Sequence, residues 1–91
     1  LAYDVIFDDE AKEDYWALDY SVRLRIEKKL LQLGRVDLTS RHLRHGSPHF
    51  VAEVGQYRIA YKILDDRMIK RVMFVGDHKA YERWYRERDL Y

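Results

Sequence analysis

Apolar and polar positions alternate cleanly over Tyr57–Leu64 (YRIAYKIL). Tyr57, Ile59, Tyr61 and Ile63 fall on one face, and Arg58, Ala60, Lys62 and Leu64 on the other. A period of two is the signature of a strand. Gly55-Gln56 before it reads as a two-residue turn with glycine first, as a type II′ hairpin prefers. That turn joins it to an earlier strand at His49–Val54 (HFVAEV). Asp65-Asp66-Arg67 is the next turn, and Met68–Val75 (MIKRVMFV) the next strand. Its tail is apolar on both faces, which places it inside the sheet. Tyr3 to Phe7 (YDVIF), β-branched and aromatic, reads as a further short strand whose place in the sheet the pattern leaves open.

Elsewhere the period is helical. Ala11, Tyr15 and Leu18 give an inner face to a helix that begins at Asp8-Asp9, either of which can cap it, and runs to about Tyr20. Ser21 reads as the N-cap of a second helix, Val22 to Leu33, stopped by Gly34. Val22, Ile26, Leu30 and Leu33 form one stripe on it, and Leu24 and Leu31 lie on the other side. A helix with two apolar stripes must bury both, one on the sheet and the other against the first helix or a partner. The short link at Tyr20-Ser21 makes the two helices an antiparallel hairpin. Residues 35–48 are a polar connection. After Gly76-Asp77-His78, residues 79–88 (KAYERWYRER) predict a basic, aromatic third helix. The order β-α-α-β-β-β-α is an α+β fold: a small single-layer antiparallel sheet with an N-terminal helical hairpin and a C-terminal helix.

At 91 residues the chain makes one domain, residues 1–91. The absence of cysteine excludes a disulfide framework, a thiolate metal site and a cysteine nucleophile. No window is long and apolar enough for a membrane span, and no basic-then-apolar leader opens the chain, so a cytoplasmic protein is expected. The formal net charge of +1 argues against nucleic acid until it is divided. Residues 1–20 carry seven acids and one base, and residues 21–91 carry 16 bases and nine acids, giving −6 against +7. A chain split in this way can present a local positive field.

Three sets of side chains can carry chemistry. His42, His45 and His49 are spaced for a shared metal only on a helix, which Gly46 and Pro48 break. They read as exposed loop histidines, and no metal or other cofactor is expected. Arg41, Arg44, Arg58, Lys62, His78 and Lys79 form a basic set. Arg58 falls near the middle of a sheet face, where a charge makes sense if the face is open. Its structural alternative is an ion pair with Glu53 across the hairpin. Tyr81, Trp84 and Tyr85 lie at helical spacing, a packing stripe in which Trp84 reads as core. The two tyrosines stay open between packing and stacking on unpaired bases.

With these residues in view, the chain resembles the RelE/ParE toxin superfamily of type II toxin–antitoxin systems. The likeness rests on the element order and on Gly55-Gln56-Tyr57-Arg58-Ile59-Ala60-Tyr61. It also rests on Val75-Gly76-Asp77-His78-Lys79 leading into Tyr81 and Tyr85. RelE-type members cleave mRNA in the ribosomal A site, and ParE-type members poison DNA gyrase. Both are held inactive by a small antitoxin, which in many cases joins the toxin in a DNA-binding repressor. The resemblance implies a ribosome-dependent mRNA endonuclease, with operator DNA reached only indirectly through the antitoxin complex and no membrane partner. A ParE-like gyrase inhibitor, or a weak homologue acting mainly as an antitoxin-binding partner, is the alternative. It implies catalytic roles for Arg58 at the scissile phosphate, for His78 at the leaving group, and for Tyr85. Arg41, Arg44, His45, Lys62, Lys79 and Tyr81 would bind substrate. The family's C-terminal tyrosine falls on Trp84 by ungapped spacing, between Tyr81 and Tyr85. RelE has lysines on the second strand, one of them a base. Phe50-Val51-Ala52-Glu53-Val54 has none, so the base is open among His78, Tyr85, Tyr81 and Glu82.

Overall fold

The computed structural model of the chain describes residues 2–35, 41–42 and 49–89, with side chains at 41, 42 and 89 left aside. Its elements are β1 (Asp4–Phe7), α1 (Asp9–Trp16), α2 (Tyr20–Leu33), β2 (Arg41–His42), β3 (Phe50–Val54), β4 (Tyr57–Leu64), β5 (Ile69–Asp77) and α3 (His78–Asp89). The strands form one sheet in the order β1-β5-β4-β3-β2. β2 to β5 are antiparallel neighbours, and β1 joins β5 in parallel, so the sheet is mixed rather than wholly antiparallel. The apolar tail of β5 thus lies between two strands, as its pattern predicts. β2 is a two-residue strand inside the stretch read as connection. No helix among the described residues is long and apolar enough to cross a membrane.

The hairpin turns differ from expectation only in detail. Gly55 has φ +59, and Gln56 is not among the positive-φ residues, which suits a II′ turn and excludes I′. Asp65–Arg67 forms a single 3₁₀ turn closed by Met68 in the left-handed region at φ 54. The first helix stops at Trp16, four residues short of the expected end. Leu18 half-buries itself in the link, its carbonyl accepts a 2.6 Å bond from Arg23 Nη1, and Asp19 rather than Ser21 precedes α2. Asp8 sits at the cap of α1 but makes no side-chain cap; its carboxylate is forked by Arg71 at 2.5 and 3.1 Å.

Side chains bury themselves on both faces of the sheet. On one face the α1–α2 hairpin packs Ala11, Val22, Ile26 and Leu33 against Ala52, Ile59, Tyr61, Val72 and Val75. Each fully buried aliphatic side chain there contributes roughly 1.5–3 kcal/mol. On the other face α3 packs Tyr81 and Tyr85 on Ala60 and Phe74, with Val51, Ala80 and Trp84 at the margin. A β-bulge decides which residues of β5 join which face. Ala60 pairs with Phe74 and Tyr61 with Val72, so one residue of β5 is skipped. Past that point the side-chain phase reverses: Val72 enters the hairpin core and Arg71 turns outward to Asp8.

The same reversal buries Lys70, which is 2% exposed. Its Nζ lies 4.7 Å from the Tyr3 ring centroid and 3.5 Å from the carbonyl of Arg35, just past the end of α2. A cation suits that negative helix end. Burial nonetheless pushes its ammonium below the ordinary lysine value, with nearby Asp65 opposing the shift. The second α2 stripe is not buried at all: Leu24 and Leu31 are exposed, Leu31 by 74%.

Candidate functional site

The β3–β4 hairpin, the end of β5 and the first turn of α3 meet at one end of the sheet. Arg58 pairs in register with Glu53 on one side and Gly76 on the other. All three lie on the α3 face, one step beyond the Val51–Ala60–Phe74 row that α3 covers. Arg58 therefore sits at the hairpin end, not near the middle of an open face, because α3 occupies the middle. Its Nη1 donates to the carbonyls of Gly55 and Tyr57, both at 2.9 Å. Those two bonds fix the guanidinium over the turn and leave its Nε toward Glu53, 3.8 Å from Oε2. The pairing across the hairpin is thus real, though too long for a hydrogen bond.

Gly76 gives this end of the sheet its open floor. A Cβ there would sit 2.6 Å from Phe74 Cζ, a contact that side chains do not make. Two residues on, exposed His78 opens α3, and its backbone N–H donates to Gln56 O at 2.8 Å, tying the helix to the hairpin. Asp77 Oδ1 accepts from the Ala80 N–H at 2.8 Å and caps that first turn. Lys79 is exposed beside His78. On the opposite side of the turn, the Arg25 guanidinium lies 5.7 Å from the Tyr57 ring centroid.

Other residues of the expected set lie elsewhere. Lys62 is on the same face of β4 as Arg58, but Ala60 between them is under α3, and Lys62 pairs in register with Arg71. Tyr81 and Tyr85 are core residues here: Tyr85 is 7% exposed and stacks on Tyr81 at 5.9 Å between centroids. The packing reading of both tyrosines holds, and Trp84, read as core, is the more exposed ring. The Arg88 guanidinium lies 4.5 Å over it, while its buried Nε1 has no hydrogen-bond partner. His49 was expected in an exposed loop and is instead buried, its Nε2 3.1 Å from Tyr81 Oη and its ring edge-on to Trp84 and Tyr85. Alternation from Val51 backward was the signal for it, since His49 shares that residue's face. Arg44 and His45 lie outside the described residues, as does the side chain of Arg41. No cluster of three or more His, Cys, Asp or Glu able to share a metal occurs among the described residues.

No protein-family model and no curated protein matches the chain. Solved structures do. The RelBE2 toxin–antitoxin complex from Mycobacterium tuberculosis matches at 25% identity and TM-score 0.76, covering 86% of this chain and 100% of that one. The chain has a RelE toxin fold. The intact E. coli RelBE complex matches this RelE-like chain at 26% identity and TM-score 0.69, covering 84% and 96%. The isolated E. coli RelE toxin matches at 23% and 0.72, covering 94% and 98%. The likeness supports the toxin half of a toxin–antitoxin pair. Within the RelE-like fold, the structure brings Arg58, Glu53, His78 and Lys79 to one end of the sheet.

Proposed function

We propose that this RelE-like chain is the toxin of a type II toxin–antitoxin system and cleaves mRNA on the ribosome, in the cytoplasm. The observation that supports this reading most is Arg58, anchored by two backbone carbonyls on the strand next to the one that runs into His78. A guanidinium held in place supplies permanent, bidentate charge to a phosphodiester as negative charge builds on it. An imidazole exchanges protons near neutral pH and suits the departing 5′-oxygen. Lys79 adds a cation for the flanking backbone. The decoding site would orient the mRNA and supply part of the positioning. A cognate antitoxin holds the toxin inactive, and operator DNA is bound only through their complex.

The test is cleavage of mRNA on programmed ribosomes by the wild type, Arg58→Ala and His78→Ala. The wild type cuts, and Arg58→Ala cuts on the order of 10²–10³-fold more slowly while remaining folded. An Arg58→Ala chain of undiminished activity removes the assignment. Inhibited gyrase supercoiling without any mRNA cleavage would turn the reading to the ParE-like alternative.

A further inference from the structure

We propose that Glu53 is the general base of this site, a deduction that rests on the mRNA-cleavage reading above. The bases left open by the sequence narrow sharply. Tyr81 and Tyr85 are buried in the α3 cluster. Glu82 is half-buried and already engaged. His78 is then left to serve both proton transfers, or to share them with another group.

Glu53 is that group by position. It is a strand residue directly opposite Arg58, on the same face, and its side chain is 57% exposed. The Gly55 and Tyr57 carbonyls hold Arg58 Nη1, so the Nε side of the fork is turned toward the carboxylate. At 3.8 Å the carboxylate is close enough to be oriented and too far to be locked by a hydrogen bond. Adjacent strands are about 4.8 Å apart. Glu53, Arg58 and Gly76 therefore make a row across β3, β4 and β5, with His78 rising just beyond its far end. A phosphate seated on Arg58 over the bare floor at Gly76 has a carboxylate on one side and an imidazole on the other. That is the arrangement an in-line displacement needs.

The step balances without any cofactor. Glu53 takes the proton from the ribose 2′-OH as O2′ bonds to phosphorus. The P–O5′ bond breaks, and the departing 5′-oxygen takes a proton from His78. The products are a 2′,3′-cyclic phosphate and a 5′-hydroxyl. Arg58 meets the charge on the non-bridging oxygens throughout.

Single-turnover cleavage of ribosome-bound mRNA, followed from about pH 5 to pH 9, tests the assignment with the wild type, Glu53→Gln, Glu53→Asp and Arg58→Ala. Glu53→Gln should lose roughly 10²–10⁴-fold and should flatten the acidic limb of the rate profile, where the base must shed its proton. Glu53→Asp should recover part of the rate and the limb with it. Ribosome binding and thermal melting of both Glu53 variants should match the wild type. If Glu53→Gln cuts within about tenfold of the wild type on an unchanged profile, Glu53 is only the ion-pair partner of Arg58 and the proposal fails alone. If the wild type itself does not cut, the cleavage reading fails and takes the proposal with it.

Discussion

The two faces of the sheet are built to different ends. The face under the α1–α2 hairpin is a continuous aliphatic core, with Ile26, Leu33, Ile59 and Val72 fully buried. The opposite face is aromatic and covers only part of the sheet. Tyr81, Tyr85, Phe74 and His49 hold α3 over one row, and beyond that row lie Arg58, Glu53 and Gly76. Stability resides on the first face and chemistry on the uncovered margin of the second. The hairpin face tolerates no charge except Lys70, whereas the other displays its charges because α3 stops short of them.

That division can be broken from either side. The largest effect falls on the hairpin face: Ile26→Ala leaves a cavity in the aliphatic core and costs about 2–5 kcal/mol in urea unfolding. Cleavage per folded molecule should not change. Gly76→Ala comes next. The new Cβ must push the Phe74 ring aside, at about 1–3 kcal/mol, and hydrogen exchange should quicken along α3 while the hairpin amides keep their protection. Equal quickening on both faces would erase the distinction between them. Lys70→Met is smaller, a gain of about 1 kcal/mol at neutral pH, because the ring contacts partly offset the burial of charge. Its sign follows from linkage. Folding lowers this ammonium's proton affinity, so the unfolded chain binds more protons between the lowered value and 10.5. Wild-type stability therefore rises with pH through that window, and Lys70→Met should lose the slope in thermal melts. Leu31→Lys is the smallest, within about 0.5 kcal/mol, because the side chain touches nothing it would lose.

Much of this was legible in the chain. The alternation of β4 and the glycine-first turn specify the hairpin, and through it the register that sets Glu53 beside Arg58. The bulge was not read, although a clue existed. Unbroken alternation through MIKRVMFV puts Arg71 on the same face as Val75, inside the core, and a buried arginine is a reason to suspect a phase change. Lys70 went unnoticed for the same reason. The cover over the sheet centre was missed because α3's tyrosines carry two readings at one spacing, and only tertiary contact separates them. Leu24 and Leu31 followed the rule that apolar stripes are buried, a rule that isolated surface leucines often break.

The pairing of β1 with β5 sets a limit on how this chain can come to its native state. Asp4 aligns with Ile69 and Phe7 with Val72, so the strand made first waits for one made near the end. Closing a span of that length costs on the order of 3–4 kcal/mol of chain entropy before any contact repays it. Distant pairing of this sort slows folding. A nascent chain that has released β1, α1 and α2 has no β5 to receive them. The hairpin end that carries Arg58 can form early from neighbours in sequence, but its support by β5 and α3 comes only when synthesis is nearly over.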